Sequence, residues 1–65
     1  MRKLTIYRRL PGDHEIRKSA EHPNIPDDWT PANILTRFGI RSHLKAVMTE
    51  NDGAEWVLQD FEPQS

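Results

Sequence analysis

Arg41 to Phe61 reads RSHLKAVMTE-NDG-AEWVLQDF, and the conformation assigned to it decides the fold. Two runs of alternating apolar and polar residues flank a loop in which Gly53 can take the positive φ that closes a three-residue hairpin turn. The pattern predicts a β-hairpin. With Glu50 and Ala54 closing the loop, antiparallel pairing sets Met48 opposite Trp56, Ala46 opposite Leu58 and Leu44 opposite Asp60 on one face. The other face takes His43 with Phe61, Lys45 with Gln59, Val47 with Val57 and Thr49 with Glu55. The first face suits a core with Trp56 at its centre. The second is amphipathic and needs an explanation.

A competing reading makes the same region the second half of a helix-turn-helix, with Gly39 in the turn and Arg41, His43 and Lys45 on a helix that reads a DNA groove. That helix would bury Lys45 together with Leu44, Val47 and Met48. It would also leave Trp56 to Phe61 without a hairpin partner, because residues 49–53 are too few for a strand and a turn. The extended reading is the stronger.

Immediately before this stretch, Thr30 to Gly39 carries the signals of a helix. Thr30 is the cap, Pro31 stands at the first helical position where its missing N–H costs nothing, and Gly39 follows the last turn. Trp29 can pack on Ile34 as a hydrophobic staple, and Ile34, Leu35 and Phe38 form the apolar stripe of a helix from Pro31 to Phe38. So short a helix cannot stand alone in water, and its natural seat is the Met48, Trp56 and Leu58 face.

Further out, Lys3 to Leu10 alternates, with Leu4, Ile6 and Leu10 on one side and Thr5, Tyr7 and Arg9 on the other; this predicts a strand ended by Pro11-Gly12. Residues 14–21 read either as a short helix capped by Asp13 or as a returning strand in which Leu10 pairs with Asp13 or His14. The tight turn favours the strand. Glu21 to Thr30, with Pro23 and Pro26, reads as a connecting loop anchored by Ile25 and Trp29. Residues 62–65 read as a flexible tail.

Length and composition bound what such a chain can do. Sixty-five residues make one small domain, 1–65, whose stability is marginal and for which dimerisation or a partner is a natural supplement. There is no cysteine to form a disulfide or a thiolate zinc site, and no run approaches the ~20 apolar residues of a membrane helix. Nor does MRKLTIYRRL hold the apolar segment of a signal peptide, so the expected location is cytoplasmic and no membrane partner is expected. Formal net charge is −1 but unevenly placed: residues 1–22 hold six cations against three carboxylates, whereas residues 51–65 hold four carboxylates and no cation. A protein dedicated to coating DNA is usually more basic.

Chemistry finds little support. His14 and His22 are eight apart, which on a helix separates them by roughly 12 Å. Lys18 stands where shared zinc ligation would need the second histidine. Asp27 and Asp28 are explained by the helix N-terminus beside them. The three serines lack a nucleophile elbow and the glycines are isolated turn residues. No catalytic role, cofactor or metal is expected.

What remains is the second sheet face. If the first strand joins the sheet, Lys3, Tyr7 and Arg9 share that face with His43, Lys45, Val47, Val57, Gln59 and Phe61. Residues 14–28 would cover it, with Ile16 and Ile25 over Val47 and Val57, or it is an interface for a second copy or another protein. As a third account, Tyr7 and Phe61 stack the bases of a single-stranded nucleic acid. The expectation is an α+β domain, a small antiparallel sheet of three or four strands with one short α-helix packed on one face. Its expected role is non-enzymatic: an inhibitor, adaptor or regulator that binds a larger protein partner through Tyr7, Arg9, His43, Lys45 and Phe61. A homodimer and a nucleic-acid-binding regulator, by sheet face or helix-turn-helix, are the alternatives.

Overall fold

A computed structural model describes residues 1–10 and 15–62. Strands β1 (Arg2–Arg9) and β2 (Ile16–Ile25) are followed by the helix α1 (Pro31–Arg37) and strands β3 (Lys45–Thr49) and β4 (Glu55–Gln59). The four strands form one antiparallel sheet in the order β2-β1-β3-β4, which makes the fold α+β. The alternating pattern of β1 places Leu4 and Ile6 on the same side as Ala46 and Met48 of β3, through the pairs Leu4–Met48 and Ile6–Ala46. These four side chains, with Ile25 and Ile34, are the buried core; Ala20, Trp29, Phe38, Ile40, Leu44 and Leu58 pack against it.

The helix forms as its residues dictate. Thr30 caps it with its side-chain oxygen, which accepts from Asn33 N–H at 3.2 Å, and Pro31 opens it. Phe38 is the C-cap, one residue beyond the last helical position. Gly39 then turns left-handed (φ 61°), so that Gly39 N–H reaches Thr36 C=O and Ile40 N–H reaches Leu35 C=O, the paired bonds of a Schellman ending. Ile34 is the helix's buried residue, in the same cluster as the strand side chains.

The β3–β4 turn closes as expected: Glu50 N–H donates to Ala54 C=O at 2.8 Å, Gly53 adopts φ 89°, and Asp52 Oδ1 accepts from Ala54 N–H. Met48–Trp56, Val47–Val57 and Thr49–Glu55 pair in the expected register, the last with a Thr49 hydroxyl donating to the Glu55 carboxylate. Beyond Val47 the register slips, so that Ala46 faces Gln59 rather than Leu58. Pairing therefore ends before Leu44–Asp60 or His43–Phe61 can form, and Lys45 does not face Gln59. The physical reason is Gln59 itself: its Nε2 donates to Arg41 C=O (2.8 Å) and Leu44 C=O (2.9 Å), which fixes the turn ahead of β3 and pulls β4 out of step.

Other expectations are corrected. Residues 45–49 are a strand, so no second helix follows Gly39 and the helix-turn-helix reading falls. The loop expected from Glu21 is strand as far as Ile25, and Pro23 is tolerated because β2 lies at the sheet edge. Asn24 there takes a positive φ of 65°, beside a register irregularity between β1 and β2. Trp56 is not central to the core. Because β1 and β3 are the interior strands, β4 is a rim, and Trp56 is 36% exposed with its Nε1 donating to Glu50. Residues 15–28, the described part of the segment expected to cover the second face, do not cover it either, since Ile25 belongs to the core and Ile16 is exposed. Leu10 N–H donates to Glu15 C=O, next to the pair Arg9–Ile16, so Leu10 meets Glu15 rather than Asp13 or His14; the Pro11-Gly12 turn, residues 13–14 and tail residues 63–65 lie outside the described residues.

Candidate functional site

The residues that alternate with the core side chains define the opposite face of the sheet. Registers across β2, β1 and β3 put Tyr7 between Lys18 and Lys45, and put Thr5 between Glu21 and Val47, with Val57 next on β4. The lysines and Thr49 frame this patch, since Lys3 pairs with Thr49. Val57 is 49% exposed and Ile16 47%, whereas Thr5 is buried beneath its longer neighbours. A row of β-branched and aromatic side chains is thus left in contact with water, ringed by cations.

The charges on this face are organised. Glu21 accepts from Lys18 Nζ at 2.8 Å and lies 3.4 Å from Lys3 Nζ. Lys18 first, and then Lys3, holds the Glu21 carboxyl below its ordinary value, while Glu21 pushes Lys18 upward. One carboxylate therefore satisfies two of the four cations, Lys3, Lys18, Arg9 and Lys45. Arg9 is disposed differently: its guanidinium carbon lies 4.7 Å from the centre of the Phe61 ring, a cation–π arrangement.

Of the five side chains expected to bind a partner, the structure brings four to this surface. Tyr7 and Lys45 are cross-strand neighbours, and Arg9 and Phe61 stack at the adjoining corner. His43 does not join them, because it sits exposed in the turn ahead of β3. His22 is on the core side, its ring stacked 4.3 Å from that of Phe38. Among the described residues no group of three or more His, Asp or Glu side chains is placed to hold a metal ion.

Sequence reading missed a second polar centre. Arg2 is buried, with its guanidinium donating to Pro26 C=O (2.7 Å) and Trp29 C=O (3.0 Å). Glu50 lies 3.6 Å from its Nη1 and Asp27 3.7 Å from its Nε, ion pairs that are both too long for a hydrogen bond. Asp27 also receives the Asn51 amide, so this carboxylate serves a clamp between the 26–29 turn and the β3–β4 turn. The available signal was parity: Arg2 falls on the same side of β1 as Leu4 and Ile6.

No family model, curated protein or solved structure matches this chain. Among the described residues no helix is long and apolar enough to cross a membrane.

Proposed function

We propose that this chain is a protein-binding module without catalytic activity, an inhibitor, adaptor or regulator that acts in the cytoplasm by occupying a surface of a larger protein. The observation that supports this reading is the uncovered sheet face. Exposed Val57 and half-buried Val47 and Tyr7 form an apolar strip whose flanks carry Lys18, Lys45 and Arg9. Such a strip offers desolvation at its centre and charge selection at its rim, the usual division of labour in a docking surface. Tyr7, Arg9, Lys45 and Phe61 are the contact residues, and the Arg9–Phe61 stack presents the guanidinium and ring together.

The test is co-purification from the source cell at near-stoichiometric ratio. Tyr7→Ala and Phe61→Ala should each remove the partner while the melting temperature stays near that of the parent chain. An intact complex in both variants defeats the reading. If purified chain instead binds single-stranded oligonucleotides, with affinity falling steeply as salt rises, the face is a nucleic-acid platform. Glu21 and Glu55 on the same face weigh against that outcome.

A further inference from the structure

The sheet has two edges, β2 and β4, and they are built differently. β2 is blunted: it contains Pro23, a left-handed Asn24, two register irregularities against β1, and Arg17 and Lys18. β4 has none of these protections between Glu55 and Val57, where its register against β3 is regular and it holds neither proline, glycine nor lysine. The Glu50 N–H to Ala54 C=O bond sets the phase of the β3–β4 ladder. Antiparallel ladders alternate bonded and non-bonded pairs, so Trp56 turns its backbone groups toward β3 while Glu55 and Val57 turn theirs outward. The slip at Ala46 ends this regular run, leaving a short acceptor edge flanked by the exposed side chains of Trp56 and Val57.

Charge identifies what can pair there. Residues 46–65 contain no lysine or arginine, and Asp52, Glu55, Asp60 and Glu62 are exposed along and beside the edge. A second β4 laid antiparallel would set acidic segment against acidic segment, which disfavours a symmetric dimer through this edge. We propose that β4 is the acceptor for an extended basic segment of a partner protein, which adds to the sheet as a fifth strand at Glu55–Val57 and sets its cations against Glu55 and Asp60. This is strand addition, in which main-chain bonds bind and alternate side chains select. It does not rest on the Tyr7 face, and Tyr7→Ala should leave it unchanged.

The experiment titrates the isotope-labelled full chain with three synthetic hexapeptides: alternating lysine and valine, alternating glutamate and valine, and the lysine peptide with a central proline. The expected result is that only the first shifts the Glu55 and Val57 amide signals and slows their hydrogen exchange, with affinity falling as salt is added. Val57→Pro, which removes an outward N–H, should weaken binding by about tenfold, whereas Val57→Ala should stay within about threefold. Should Val57→Pro not fold, the central-proline peptide tests the same bonds on the parent chain. Equal binding of all three peptides, shifts confined to Tyr7 and Lys45, or Val57 amide protection from a self-dimer would each overturn the proposal.

Discussion

Arg2 is the side chain on which the most separate segments depend. Its forked guanidinium bonds two carbonyls of the 26–29 turn and lies between Asp27 and Glu50, so one side chain ties β1, the loop before the helix and the hairpin turn together. Removing it would leave the Pro26 and Trp29 carbonyls without their donor in a part-buried site. Arg2→Ala should therefore cost ~3 kcal/mol in a denaturant titration. Arg2→Lys should recover less than half of that: Nη2 alone donates to both carbonyls, and a single ammonium placed there leaves Asp27 and Glu50 without the Nε and Nη1 that face them. Glu21 gives a prediction of a different kind. Its folded-state pKa is lowered, so its contribution to stability is present above the ordinary value of 4.5 and is lost as pH falls through the folded value. Lys18, raised from 10.5, contributes fully below that value and loses its effect as pH rises through its own folded pKa. A carboxyl-carbon NMR titration should place the Glu21 midpoint below 4.5, and Lys18→Ala should move it up more than Lys3→Ala does. Equal shifts in the two variants would contradict the 2.8 Å and 3.4 Å geometry.

At the scale of elements, position in the sheet overrides the character of the side chain. Trp56 is the largest apolar residue of the hairpin, yet it lies on a rim strand, whereas Met48 opposite it on β3 is fully buried. Met48→Ala should cost about 2–5 kcal/mol and Trp56→Ala only about 1 kcal/mol, measured by the same denaturant midpoint. A reversed order would mean that β4, not β3, is interior. The contrast also marks what could be read beforehand. Alternation showed the strands, and Thr30, Pro31 and Gly39 showed the helix, because each signal is local to its element. Strand order is not local: nothing in residues 41–61 says that β1 will pair with β3 and displace β4 to the edge. The extent of β2 was hidden for the same reason, since Pro23 forbids a strand only where a neighbouring strand needs an N–H at that position. The slip at Ala46 depends on Gln59 meeting carbonyls of Arg41 and Leu44, a contact made only after folding. The candidate face was legible for Tyr7, Arg9, Lys45 and Phe61 through parity, and was misread for His43 because pairing stops short of it.

For the molecule as a whole, the order β2-β1-β3-β4 means that two local hairpins are joined by one distant seam. β1–β2 and β3–β4 each link neighbours in sequence, but Lys3 meets Thr49 and Leu4 meets Met48 only across that seam. Leu4 and Ile6 have no complete core until Ala46 and Met48 arrive. During synthesis β1 can pair with β2 but must wait for β3 until residues 45–49 have left the ribosome, and loop closure over that distance should be the slow event of folding. Amides in β1 and β3 should exchange only by global opening, while those of β4 exchange sooner through local fraying, and hydrogen exchange across a denaturant series would show the two classes. A translating ribosome stalled before residue 45 should carry a nascent chain that proteases cut freely, and one stalled with residue 60 outside the exit tunnel should carry a resistant domain.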